Sequence, residues 1–200
     1  DEENSYVDSI RNIFSENPCK TLINQINFSK NINKYNFLKL NVTNSLAKSN
    51  GNNFNNNVQI NRYSITGIYK INNPNKKWKQ LFNARIILDN NKLSPLTYSY
   101  SLNRIITKEL KFYVNMGKVY RLPTINDLYW NPGGNENLKA ENGNSTDFGF
   151  LWAKNYSNIK LYFEPTLYSR WIEDWIVWQP NGANWSPMNV KKVWNRGIET

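Results

Sequence analysis

The chain has 200 residues, 40% of them hydrophobic, and 25 basic side chains against 15 acidic ones give a net charge of +10. With no histidine and the single cysteine Cys19, it lacks Ser-His-Asp and Cys-His arrangements, the usual zinc sites and any internal disulfide. No apolar run reaches the length of a transmembrane helix and no phosphate-cradling glycine loop occurs; enzymatic chemistry has little to stand on, and no cofactor or metal is expected.

In chain order, residues 1–19 are polar, with a short helix expected around Val7–Phe14. The acidic opening DEENSYVDSI is not a signal peptide, so the expectation is an internal piece or a protein that has lost its start. Leu22–Phe28 reads as a short strand and SKNINK as a turn. Tyr35–Ala47 alternates clearly: Leu38, Leu40, Val42 and Leu46 on one face, Phe37, Lys39, Asn41, Thr43 and Ser45 on the other. KSNGNNFNNN is a polar loop. Strands follow at Val58–Ile71, Trp78–Leu88, Leu96–Leu102 and Leu110–Met116, each with the same two-residue period. Phe148, Phe150 and Trp152 form the apolar face of the next strand. Leu161–Trp178 is longer than the ~9–11 residues that cross a bilayer, so its upper part, RWIEDWIVW, is expected to project as a hairpin with the segment around Trp194. Ile172 and Ile176 share a parity with Asp174, which predicts a bulge there.

The connections sort by length. Loops at 48–57, 89–95, 121–144 and 179–188 fall at one end, and turns at 72–77, 107–109 and 155–158 at the other. Long loops at one end and short turns at the other are what outer-membrane barrels show. Tyr35, Trp78, Trp152 and Tyr156 would sit near the short-turn end, as an aromatic girdle does. Alternation alone also fits a soluble β-sandwich with the facing reversed. The scattered charges form no basic stripe, so no nucleic-acid partner is expected. A basic barrel exterior would instead meet outer-membrane lipid and lipopolysaccharide, or a basic lumen would attract an anionic ligand.

One stretch organises the rest: Arg121–Glu141, RLPTINDLYWNPGGNENLKAE. Pro123, Pro132, Gly133 and Gly134 punctuate it as a loop rather than a strand or helix. Leu122, Ile125, Leu128, Tyr129 and Trp130 would be wasted in a mobile loop, so an ordered one is expected. Asp127 is a candidate acceptor for nearby backbone N–H groups. Pro123 and the pair Leu128–Tyr129 are expected to hold the loop against the rim.

RLPTINDLYW followed by GGNENLKAENGNSTDFGF resembles the extracellular-loop pattern of TonB-dependent outer-membrane receptors, roughly F-R-A-P-T, N-D-L-Y-W, G-N-P-D-L-K-P-E and then a strand with Glu-Leu-Gly. The departures are Leu122 for Ala, Glu136 and Ala140 for Pro, and Asp147–Phe148 for Glu–Leu. YSRWIEDWIVWQP and WSPMNVKKVWNRGIE resemble the family's next hairpin. The resemblance implies an all-β, antiparallel up-and-down meander that is part of a transmembrane β-barrel, about nine strands of a larger barrel of roughly 22 whose lumen is plugged. Residues 1–200 would be one partial barrel domain, without the plug domain and terminal strands.

The implied function is uptake of a scarce small-molecule ligand, such as an iron–siderophore, haem or cobalamin. The energy would come from a TonB-type protein acting through the missing plug, in the outer membrane of a Gram-negative bacterium. No catalytic residue is expected. Candidate ligand contacts are Arg121, Asn126, Asp127, Tyr129, Trp130, Trp178 and Trp185. The alternatives are a passive porin or adhesin barrel, or a soluble carbohydrate-binding β-sandwich.

Overall fold

The computed structural model describes residues 2–8, 13–54, 57–75 and 77–200. Twelve strands form one antiparallel sheet: β1 (Glu2–Asp8), β2 (Ile13–Asn31), β3 (Asn36–Ser49), β4 (Val58–Asn72), β5 (Trp78–Asp89), β6 (Lys92–Leu93), β7 (Thr97–Ile105), β8 (Leu110–Arg121), β9 (Glu141–Tyr156), β10 (Ile159–Phe163), β11 (Thr166–Asn181) and β12 (Asn184–Glu199). The spatial order is β1-β2-β3-β4-β5-β7-β8-β9-β11-β12, with the two-residue β6 on β5 and β10 on β9. Each strand pairs with its neighbour in sequence, which is the expected meander. The count exceeds nine because β1, β6 and β10 are short pairings that an alternation rule does not resolve.

Directly opposed residues share a face in an antiparallel ladder, so register carries facing from strand to strand. Ile26 opposes Val42, Val42 opposes Ile65 and Ile65 opposes Ile86. Farther along, Phe82 opposes Tyr100, Leu102 opposes Val114, Val114 opposes Phe148, Phe148 opposes Leu167 and Leu167 opposes Ile198. Leu38, Leu40, Tyr98 and Phe112 fall on this same apolar face. Lys39, Thr43, Arg85, Ser99, Lys111 and Asn115 fall on the other, polar one, as the alternation predicted. The apolar face is bare: Ile26 is 73% exposed, Ile65 55% and Ile198 69%. A soluble sandwich would cover these side chains with a second sheet, and the described residues form a single sheet, so that alternative is set aside. One of the polar rows on the apolar face is linked side chain to side chain. Asn24 donates to Asn44 Oδ1 (3.4 Å) and Asn44 to Asn61 Oδ1 (2.7 Å), as polar groups facing hydrocarbon must.

Several sequence expectations need correction. Val7, Asp8, Ile13 and Phe14 lie in strands rather than in a helix, and residues 9–12 lie outside the described residues. The short strand expected at Leu22–Phe28 runs from Ile13 to Asn31; polar residues extend it because ladder bonds, not side chains, hold it beyond the apolar part. The loop expected at 179–188 is mostly strand. β11 continues to Asn181 and β12 starts at Asn184, with Gly182 at φ +63° making the reversal. No residue is inserted at Asp174: Glu173 pairs with Lys192 and Trp175 with Val190, so the register is unbroken. Asp174 instead takes φ +54° and leaves the ladder for one rung, while its carbonyl accepts from Asn189 Nδ2 (2.6 Å).

The ends differ as expected in three of the four loops, the β11–β12 connection being a tight turn. Between β3 and β4, β5 and β7, and β8 and β9 the chain makes long loops, whereas Tyr35, Trp78, Trp152 and Tyr156 stand by the short turns at the opposite end. β3, at 14 residues, exceeds the ~9–11 needed to cross a bilayer, so the strands overhang toward the long loops.

In the intact barrel, Val114→Arg is expected to destabilise by roughly 2–4 kcal/mol if position 114 faces mid-bilayer lipid, and Asn115→Arg, on the polar face, far less. Urea titration of folding into lipid vesicles measures both; equal losses would mean the facing is wrong.

Candidate functional site

The loop from Leu122 to Ala140 is ordered, and it folds over the polar face at the long-loop end. Its turn begins with a five-residue helix, α1 (Ile125–Tyr129), where Pro and Gly content predicted none. The cause is local. Thr124 is an N-cap in extended backbone, its hydroxyl accepts from Asp127 N (3.1 Å), and Asp127 Oδ2 accepts from Thr124 N (2.9 Å). This reciprocal capping box satisfies two helix-end donors at once, and it realises the acceptor role expected of Asp127.

The same carboxylate ties the loop to the sheet. Trp178 of β11 donates its indole Nε1–H to Asp127 Oδ1 (3.0 Å), and Arg121 at the end of β8 lies 3.4 Å from Asp127 Oδ2. Arg121 also donates to Glu141 Oε1 (2.6 Å), directly opposite it across the β8–β9 ladder. Glu141 Oε1 in turn accepts from Ile176 N (3.0 Å). That amide lies just past the point where β9 and β11 stop pairing at Asn142–Glu173. Asp127 and Glu141 are buried while Arg121 is half-exposed. Burial pushes the Asp127 carboxyl up, but the Thr124 N–H and hydroxyl, the Trp178 indole and the Arg121 charge together hold it below its ordinary 3.8.

Two flanks clamp the loop. On one side Arg62 of β4 donates to Pro123 O (2.7 Å) while its Nε–H pairs with Asp89 (2.9 Å). Beside it, the β3–β4 loop bonds Asn131 N to Asn53 O (2.7 Å) and sets Phe54 edge-on to Trp130, 5.9 Å between centroids. On the other side Asn189 of β12 both accepts from Lys139 N (2.9 Å) and donates to Lys139 O (3.0 Å), and Asn135 Nδ2 donates to Pro187 O (3.2 Å). Gly133, at φ +125°, passes so close to the β11–β12 hairpin that a Cβ there would lie 2.0 Å from Trp185 O. Glycine is required at that crossing.

The expected contact residues therefore divide. Arg121, Asp127 and Trp178 meet in one hydrogen-bonded network that orders the loop. Tyr129 and Trp130 line an open cavity of about 670 Å³ with Asn57, Gln59, Asn135 and Glu136. Asn126 and Trp130 line a second of about 270 Å³ with Phe54, Ile60 and Arg62. Trp185 stands apart on the hairpin, 59% exposed. Sequence reasoning missed Phe54, Arg62 and Asn189. Phe54 did leave a signal, being the one apolar side chain in KSNGNNFNNN; Arg62 and Asn189 come from distant strands and left none.

In the intact protein, Asp127→Ala is expected to leave the Thr124 amide and the Trp178 indole unpaired, at about 1–3 kcal/mol. Amide exchange should speed up across residues 122–140 and stay unchanged in β4 and β8. The pH dependence has a definite sign. A carboxyl lowered below 3.8 stabilises the loop above that value, and the contribution is lost as pH falls through the depressed folded-state pKa. Loop exchange that is insensitive to the substitution, and to acid, would remove Asp127 as the clamp.

The family model for the TonB-dependent receptor-like β-barrel matches residues 20–200. The vitamin B12 transporter BtuB of Photobacterium profundum is 32% identical over 142 residues, covering 68% of this chain and 22% of that protein. BtuB of Vibrio vulnificus is 32% identical over 105 residues, 52% of this chain and 16% of that one. The chain thus spans about a fifth of these relatives' length. Among solved structures, the siderophore receptor PirA from Pseudomonas aeruginosa superposes with a TM-score of 0.73 at 14% identity, over 92% of this chain and 36% of its own. The Serratia marcescens hemophore receptor HasR, as a double mutant with its hemophore HasA and heme, does so with 0.70 at 12% identity, over 92% and 39%. These two superpositions speak to fold alone, and they agree with the sequence match. The chain belongs to the TonB-dependent receptor family, as part of its β-barrel.

Proposed function

We propose that the chain is a wall segment of an outer-membrane receptor that takes up a scarce ligand with TonB-coupled energy, in a Gram-negative bacterium. The observation that carries this reading is the clamped loop. An ordered aromatic and amide surface is fixed over the polar face at the long-loop end, where a ligand arriving from outside would meet it. Tyr129, Trp130, Asn126 and Trp185 are the side chains free to touch that ligand, while Arg121, Asp127 and Trp178 act through the loop's position. Pre-ordering the loop lowers the entropic cost of binding. The names of the two BtuB relatives favour a corrinoid such as cobalamin over an iron–siderophore or haem. Coupling to the TonB-type protein runs through a plug domain outside these residues, and lipid covers the apolar face. Transport proceeds by binding and plug rearrangement, with no covalent step.

The test is cobalamin uptake by the full-length receptor in a strain lacking its own. Uptake should stop when a protonophore collapses the inner-membrane gradient; continued uptake would favour a passive porin. Trp130→Ala is expected to weaken cobalamin binding about tenfold, equivalent to ~1.4 kcal/mol, in a receptor that still inserts. Normal uptake by that variant would make the loop structural only. Uptake of ferric siderophore but not cobalamin would overturn the corrinoid assignment.

A further inference from the structure

Asn53, in the connection between β3 and β4, bonds a strand on one side and the clamped loop on the other. Its Oδ1 accepts from Asn17 Nδ2 of β2 (2.9 Å), and its own N–H donates to Asn17 Oδ1 (3.0 Å). Its Nδ2 donates to Asn131 O (3.1 Å), and its carbonyl accepts from Asn131 N (2.7 Å). Both contacts are reciprocal pairs, and satisfied amide networks rigidify what they join.

The strand side of this bridge is firm. Asn17 is 6% exposed, and its strand pairs there with Asn4 of β1. Ser49, at the root of the connection, opposes Cys19 and donates its hydroxyl to Pro18 O (3.0 Å). Phe54 N donates to Gly51 O (3.0 Å), closing the turn that presents Asn53.

What the other side holds is the backbone at Trp130 and Asn131. Trp130 N donates to Asn126 O (3.2 Å) and Trp130 O accepts from Gly134 N (2.5 Å), both within the loop. The N–H and carbonyl of Asn131 are the groups taken by Asn53, from outside the loop. The Trp130 ring needs that support. It lines both the open cavity of about 670 Å³ and the inner one of about 270 Å³, so it stands as a partition with space on either side. Phe54 meets it edge-on, 5.9 Å between centroids. A ring beside voids lacks the close contacts that hold a core side chain. Its place is therefore set by the backbone that carries it, and Asn53 fixes that backbone.

We propose that Asn17 and Asn53 are positioning residues for ligand binding. Asn17 orients Asn53, and Asn53 holds Trp130 as the wall between the two cavities. The proposal rests on the reading that Trp130 meets the ligand. A latch that served only the fold of the loop would have the same effect with Trp130 present or absent.

The test is a double-mutant cycle in the full-length receptor, with cyanocobalamin as the probe. Asn53→Ala and Asn17→Ala are each expected to weaken its binding about fivefold, mainly through faster dissociation. On a Trp130→Ala background neither should weaken it further. Asn41→Ala, which removes a similar amide pair with Asn27 on the same two strands, should bind as the wild type does. A second measurement needs no ligand. In receptor labelled with fluorotryptophan, the fluorine resonance of Trp130, assigned through Trp130→Phe, should shift or broaden in Asn53→Ala while that of Trp178 stays in place. Additive losses in the cycle, or an unchanged Trp130 resonance, would overturn this proposal and leave the transport reading standing. A wild-type receptor that fails to bind cyanocobalamin would overturn the corrinoid assignment instead, and the Trp130 resonance then decides the latch.

Discussion

One parity runs through the whole sheet, and most of the structure follows from it. Because a rung of an antiparallel ladder puts both residues on the same side, the facing of Ile26 fixes that of Val42, then Ile65, then Ile86. Slipping any strand by a single residue would exchange its two faces and carry polar side chains into the apolar band. Hydrocarbon makes such an error costly on both counts, since neither a charge nor an unpaired amide finds water there. Two of the exceptions to the parity are bonded internally. Asn24, Asn44 and Asn61 face the apolar side but bond one another. Asp174 leaves the ladder in the overhanging part of β11, beyond the span that crosses a membrane, and Asn189 bonds its carbonyl.

The parity also decides where the long loop can go. Arg121 and Glu141 close the β8–β9 ladder as a directly opposed pair on the polar face, so the chain between them leaves on that side. A buried carboxylate is tolerated only when its oxygens are occupied. Asp127 and Glu141 meet that condition by taking donors from three parts of the chain: the loop itself, the end of β8, and β11 through the Trp178 indole and the Ile176 amide. The pair is therefore a junction rather than two surface salt bridges. The β3–β4 loop holds the loop's middle at Asn131 and Asn189 its far end at Lys139, so it is fastened at points well separated along its length. That geometry explains how a segment rich in Pro, Gly and Asn keeps a single conformation.

The sheet was legible from the two-residue period wherever strands are amphipathic, from β3 to β9. What the period could not show is where a strand ends once it rises past the apolar band. β2 and β12 continue in largely polar residues, and β11 continues past Trp178 as Gln179-Pro180-Asn181, because backbone bonding to a neighbour needs no particular side chain. The loop's order was legible in its stranded apolar residues, and Asp127 as its acceptor was legible in its closeness to Pro123–Thr124. α1 was hidden because Pro and Gly flank it closely and outweigh five residues of propensity. The partners Arg62 and Asn189 were hidden for a different reason: they lie 61 and 50 residues from the groups they bond, and only the folded arrangement of strands brings them near.

The tryptophans show how one residue type is put to different uses by the same parity. Indole is a large apolar surface with one N–H, and it is stable only where both halves are accommodated. Trp178 turns inward and gives its N–H to a buried carboxylate, so its chemistry is spent inside the protein. Trp194, on the other face, gives its N–H to Ser169 and leaves half its ring bare. That bare ring is unsuited to water yet held rigid by Arg196 stacked upon it. Trp130 is intermediate, with one edge on Phe54 and the rest on open cavities. A residue whose ring as well as its polar group is taken up by the protein works as structure, whereas one that leaves apolar ring surface exposed has surface to offer outside. By that criterion Trp178 belongs to the frame, Trp130 to the surface proposed above to meet a ligand, and the Trp171–Trp194 pair to the exposed apolar face.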